Sequence, residues 1–128
     1  MSIPVAIDEL HAATAERGFA YLLTVRDSQT PHVVAVDPQW ADSQLVMSVG
    51  RGTAANARAR TNITLCYPPA DDDGYSLIVD GTAAVDADEV LSFTPTGAVL
   101  HRPAAPGSTG ATGCSNDCLP VGAAEPTT

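Results

Sequence analysis

Apolar residues fall in short runs separated by turn formers, and the spacing inside each run predicts its type. Residues 4 to 17 read as a helix. Ile3, Ile7 and Leu10 lie on one stripe with Ala6 and Ala13 beside it. Pro4 suits a first turn, Asp8 and Glu9 suit the N-terminal half, and Gly18 is a natural stop. "FAYLLTVRD" predicts a strand, "DSQT" a hairpin turn, and "PHVVAVDPQW" the returning strand, with Pro38 ending it or marking its edge. "DSQLVMSVG" adds a turn and a strand, and a helix of about two turns follows from Thr53 to Arg60. "NITLCYPP" is a strand closed by two prolines, and "ADDDG" is a turn. "YSLIVDGTAAVDAD" is a long strand in which Gly81 marks a bulge or a close backbone approach. "EVLSFTPTGAVLHRP" gives one or two last strands, broken near Thr94 to Gly97.

Tight turns between short strands imply antiparallel pairing, because a parallel crossover needs about a dozen residues. The expected fold is mainly β with short helices, a six- to seven-stranded antiparallel barrel, closed or partly closed, over residues 1–103. From residue 104 the composition shifts to Gly, Ala, Pro, Ser and Thr with one Leu and one Val. Such a segment cannot offset its ordering entropy by apolar burial, so residues 104–128 are read as a flexible tail.

Charge narrows the partners. The 128 residues hold 6 arginines, no lysine and 15 acids, a net charge of -9. That surface repels phosphate polymers and anionic lipid, so neither nucleic acid nor membrane is expected as a partner. No apolar run approaches the ~20 residues of a span, and the N-terminus lacks a basic leader before an apolar block. The three cysteines, Cys66, Cys114 and Cys118, do not make a disulfide scaffold. A cytoplasmic protein with reduced thiols is the expectation.

Three of the six arginines, Arg51, Arg58 and Arg60, surround one predicted helix. At its start, "GRGT" combines unpaired N–H groups, the positive end of a dipole and a guanidinium fork. Gly50 and Gly52 let a ligand approach the backbone, and Thr53 adds a hydroxyl and an N-cap. These are the parts of a small anion site. The same four residues also describe a plain turn, a cap and a solvated arginine. Arg58 and Arg60 sit at the far end, where they complement the helix C-terminus.

The ordered pieces "AYLLTVRDSQTPHVVAV", "LVMSVGRGTAANARARTNITLCY" and "GYSLIVDGTAAV" resemble the pyridoxamine 5′-phosphate oxidase-like family of flavin and deazaflavin split β-barrels. The resemblance covers about residues 5 to 103 and includes the hairpin proline, Pro31, and the "DGTAAV" strand. It implies an FMN-binding type of split barrel and a homodimer with FMN or a deazaflavin between subunits. It also implies hydride or electron transfer to a small-molecule substrate. It assigns the cofactor phosphate to Arg51, with Gly52 and Thr53 in the same turn. It assigns the ring border to Met47, Ser48, Val49 and His32. Two departures stand out. Thr53 occupies the place two after the arginine where many members have lysine, and "VDADEVLSF" leaves little room for the helix that many carry there. They argue against the oxidase that forms pyridoxal phosphate. They favour a minimal member that binds a deazaflavin or no cofactor at all.

Other residues add less. Cys114 and Cys118, with His101, make three of the four ligands a zinc site needs, so no metal is assigned. Cys66 alternates with Leu65 and reads as a small core residue, and the acidic turns lack a calcium-loop pattern. No catalytic residue is assigned, because a flavin-type cofactor carries the chemistry itself. Two functions remain: a flavin- or deazaflavin-binding oxidoreductase, and a non-catalytic split-barrel homodimer that binds a ligand or serves a structural role.

Overall fold

The computed structural model describes residues 1–71 and 74–104. In chain order the elements are β1 (Ser2–Val5), a 3₁₀ turn (Ile7–Glu9), α1 (Leu10–Ala15), β2 (Ala20–Val25), β3 (Pro31–Val36), β4 (Gln39–Ala41) and β5 (Gln44–Ser48). They continue as α2 (Arg51–Ala59), β6 (Asn62–Tyr67), β7 (Ser76–Val85) and β8 (Val90–His101). Every strand pairing is antiparallel. Seven strands follow one hydrogen-bonded path, β3-β2-β6-β7-β8-β5-β4, and β1 joins as an eighth on β8.

The two ends of that path, β3 and β4, are separated in the chain by Asp37 and Pro38 alone. Two residues span little distance, so the sheet must curl until its edges converge there. This is the split barrel: joined by the chain at one corner, with no ladder between the edge strands among the described residues.

Strand alternation sorts side chains to two faces. Leu22 of β2, Leu65 of β6, Leu77 and Val79 of β7, and Leu91 and Phe93 of β8 fill the interior and are fully buried. Two helices plug the barrel ends. Leu10 of α1 and Ala57 of α2 both belong to the same buried cluster. The buried face of α2 carries only Thr53, Ala54 and Ala57, so small side chains let the helix lie close against β2 and β7.

Several expectations change. The predicted helix over 4–17 shortens to α1: Ser2–Val5 pair with Ala98–His101, and Ile7–Glu9 form a 3₁₀ turn. The second half of β8 offers a free ladder edge there, and Pro4 sits opposite Val99 at the outer edge where its missing N–H is tolerated. β4 was not anticipated. It is a short strand folded back on β5 through a tight turn at Asp42, whose φ is 57°. The last segment is one strand rather than two. The disturbance near 94–97 is a register shift in which Asp80 faces Gly97 and Gly81 faces Pro95. Cys66 points away from the core, pairing with Tyr21 and Ile78 on the outer face. Residues 105–128, with Cys114 and Cys118 and all but the first residue of the predicted tail, lie outside the described residues.

Gly81 behaves as its place in the strand predicts. A Cβ there would lie 2.8 Å from Phe93 Cε1 and would strike the Thr94 carbonyl oxygen. Phe93 is fully buried and cannot yield. Gly81→Ala is therefore expected to destabilise the protein by about 1–3 kcal/mol, as overpacking of a filled core does. Urea unfolding checks this, with Gly97→Ala as the control, since nothing lies within 4 Å of a Cβ there.

Candidate functional site

β5 delivers the chain to α2 at one end of the barrel. Val49 N–H donates to the Glu89 carbonyl at 3.1 Å, pinning the end of β5 to the β7–β8 turn. Gly50 is the N-cap, with extended backbone at φ -77° and ψ 169°, and the helix starts at Arg51. This corrects the reading of Thr53 as helix start and cap. The first backbone bond closes from Ala54 N–H to the Gly50 carbonyl at 2.9 Å. The N–H groups of Arg51, Gly52 and Thr53 precede it and lack helical acceptors. No side chain caps them among the described residues.

Arg51 is exposed and has no hydrogen bond or ion pair among the described residues. The other five arginines are all engaged. Arg17 donates to the carbonyls of Ala13, Pro68 and Tyr75. Arg26 holds the Pro31 carbonyl and the Thr30 hydroxyl. Arg58 donates to the Asp86 carbonyl at 2.6 Å. Arg60 donates to the Val25 carbonyl and to Asp27 at 2.8 Å. Arg102 lies over the Tyr75 ring at 4.5 Å. Arg58 and Arg60 sit at the end of α2 as expected, but they tie it to neighbouring segments rather than to its own last carbonyls, and Arg51 at its start is exposed.

Gly50 and Gly52 have nothing within 4 Å of where a Cβ would stand, and both have negative φ. Neither packing nor backbone conformation calls for glycine at these places. Open space beside uncapped N–H groups is what an incoming anion needs. Thr53 is 3% exposed, packed against the barrel, and its hydroxyl has no hydrogen-bond partner among the described residues. Its accessible contribution is the backbone N–H.

The remaining predicted residues separate by face. Met47 points into the core at 4% exposure, Ser48 is exposed, and Val49 is half-buried. His32 is half-buried on the inner side of β3, opposite Thr24 of β2. Asn56 of α2 reaches down to both. Its Nδ2 donates to Thr24 Oγ1 at 3.1 Å and lies 3.5 Å from His32 Nδ1. With Nδ1 accepting, the neutral imidazole keeps its proton on Nε2. Asn56 was missed in the sequence. The hairpin turn could have placed Thr24 opposite His32, but nothing local announces that a helix residue bridges them.

The cleft bounded by His11, Asp37, Trp40 and Tyr67 is elsewhere. β6 leaves α2 at Asn62 and ends at Tyr67, so the cleft lies toward the other end of the barrel.

No family model matches the chain. It is 42% identical over 132 aligned positions to an uncharacterized protein of Mycobacterium bovis and equally to one of Mycobacterium tuberculosis. Each alignment covers 90% of this chain and 93% of the relative. The chain belongs to the family of these mycobacterial proteins. Among solved structures it is similar to an F420 reductase, with a TM-score of 0.57 and 20% identity, over 67% of this chain and 93% of that one. A candidate pyridoxamine 5′-phosphate oxidase from Listeria innocua gives 0.62 at 13% identity, over 73% and 96%. An FAD-binding protein from Mycobacterium smegmatis gives 0.56 at 17% identity, over 80% and 100%. The fold is the split barrel of these solved structures.

Removing Asn56 strands a buried hydroxyl, since Thr24 is 2% exposed. Asn56→Ala is expected to cost about 1–2 kcal/mol in urea unfolding, the usual penalty for a lost buried partner. A loss below a few tenths would show that the bridge is not formed.

Proposed function

We propose that the protein is a flavin- or deazaflavin-binding oxidoreductase that works as a homodimer in the cytoplasm and acts on a small molecule. The observation that carries this reading is Arg51: an unengaged guanidinium beside uncapped N–H groups, with open space over Gly50 and Gly52. The residues present fit the phosphate end of such a cofactor. Arg51 and the N–H groups of Gly52 and Thr53 would hold the anion through charge-assisted hydrogen bonds. Ser48 and Val49 would border the ring. Met47 would support that border from beneath, as a core residue. His32, fixed by Asn56, would present Nε2–H as a donor. The bound cofactor supplies the hydride or electron pair, and the chain binds and orients it. The neighbouring structures, an F420 reductase and an FAD-binding protein among them, support a cofactor of this chemical type.

A second reading is a ligand-binding protein without turnover. It is favoured by Thr53, which stands where many family members have lysine and whose side chain is buried. The turn thus has one cation rather than two. Turnover of a reduced flavin or deazaflavin separates the two readings.

The homodimer rests on the outer face of the sheet. Ala35, Tyr21, Cys66, Ile78 and Val99 lie in one row across five strands. Leu23 and Val33 stand beside it, and Phe19 packs edge-on against Tyr21. Phe19 is 46% and Val33 52% exposed. Contiguous apolar surface of this kind is what an obligate interface covers. No described helix is long and apolar enough to cross a membrane.

Two outcomes are expected. Titration with FMN, FAD and F420 is expected to give saturable binding of at least one, and Arg51→Ala to weaken it roughly tenfold or more, as loss of a charge-assisted contact does. Undiminished binding by the variant would remove the phosphate from this turn. Sedimentation is expected to show twice the 13.1 kDa chain mass. Val33→Asp is expected to shift the protein toward monomer, and a wild-type monomer would defeat the homodimer.

A further inference from the structure

The cleft at the other end of the barrel has a chemistry of its own. It is a half-open cleft of about 390 Å³ between α1 and the corner where β3 passes into β4. That lies at the lower end of small-molecule sites, which run from about 300 to 1,000 Å³. One wall is aromatic: His11 and Trp40 stack with centroids 3.9 Å apart and planes 20° apart. The wall is fixed from behind. Trp40 Nε1 donates to Thr14 Oγ1 at 2.8 Å, and Thr14 in turn donates to the Leu10 carbonyl at 2.9 Å.

Two polar groups of the lining have hydrogen bonds left to make. Tyr67 is 2% exposed, yet its hydroxyl makes no hydrogen bond among the described residues. A buried phenol without a partner costs free energy that a ligand can recover. Burial, and then the field of Asp37, push its pKa up to about 12, so it stays a neutral hydroxyl with free lone pairs. Asp37 stands at the exposed rim. Its Oδ1 accepts from Gln39 Nε2 at 3.1 Å, and its other oxygen has no partner among the described residues. Arg17 is also in the lining and keeps its positive charge, with its Nε and Nη1 turned to the three carbonyls already named. An anion placed here would face Asp37. A cation would gain from that carboxylate and from the strongly acidic chain around it.

We propose that this cleft is a second ligand site, distinct from the Arg51 turn, that takes a small aromatic amine. The ammonium sits between the Asp37 carboxylate and the Tyr67 hydroxyl, and the ring lies along the His11–Trp40 wall. The inference does not depend on the cofactor reading, since no residue is shared between the two sites.

Trp40 is the one tryptophan of the chain, so its emission reports this wall. The full-length protein is titrated with 2-phenylethylamine, with 2-phenylethanol and phenylacetate as the neutral and anionic counterparts. The amine is expected to change Trp40 emission saturably, and both counterparts to bind at least tenfold more weakly. Asp37→Asn is expected to raise the Kd about tenfold and Tyr67→Phe several-fold, as removal of a charged and a neutral partner should. Arg51→Ala is expected to leave amine binding unchanged. Tyr67→Phe is expected not to lower the Tm of the ligand-free protein, because the hydroxyl it removes has no partner among the described residues to lose. The proposal is overturned by a wild type that gives no saturable response, by equal binding of the alcohol or the acid, or by an Asp37→Asn variant that binds as before. Loss of amine binding in Arg51→Ala would also overturn it.

Discussion

The barrel depends on the contact between Gly81 and Phe93. β8 pairs with β7 along its whole length, with β5 through its first residues and with β1 through its last. A flat strand cannot serve two partners on one side and a third on the other while the sheet curls shut. The register shift between Asp80 and Gly81 provides the bend. Phe93 fills the space that a side chain at position 81 would occupy, so the bend and the core are made by the same contact. From that bend follow the curl of the sheet, the convergence of β3 and β4 at Asp37 and Pro38, and the two barrel ends that the helices cover.

Those ends differ in chemistry because their plugs differ. α2 is held at its C-terminal end by Arg58 and Arg60, which bind backbone carbonyls of neighbouring segments. The ion pair of Arg60 with Asp27 adds little, since Asp27 is almost wholly exposed. The N-terminal end of α2 has no such ties and faces open space. α1 is anchored by the Thr14–Trp40 bond and by Arg17, and the wall it builds with Trp40 leaves a cleft over Tyr67. One end thus offers donors and positive potential. The other offers an acceptor, a phenol and an aromatic wall.

Much of this was legible before the structure. The hairpin of β2 and β3, the long β7 with its glycine, and the division of the arginines along α2 all follow from local rules of turn chemistry, alternation and dipoles. What failed was decided at a distance. Pro4 and Val5 were read as the start of a helix, but the free edge of β8 claims them as part of a strand. Cys66 alternates correctly with Leu65, yet a strand with one face outward can place a cysteine there as easily as in the core. β4 is too short for any periodicity to announce. At the site, the strand-to-helix turn at "GRGT" was readable, whereas the burial of Thr53 required knowing which face of α2 meets the barrel. The Asn56 bridge and the unpartnered Tyr67 hydroxyl exist only once separate elements have docked.

The central claim is that the start of α2 takes the phosphate of a flavin-type cofactor. Amide chemical-shift mapping tests it most directly. On addition of whichever of FMN, FAD or F420 binds, the account predicts that the largest backbone shifts fall on Arg51, Gly52 and Thr53, whose N–H groups have no acceptor among the described residues. The Tyr67 end of the barrel should stay silent. Shifts concentrated around Trp40 and Tyr67, with the start of α2 unmoved, would contradict it.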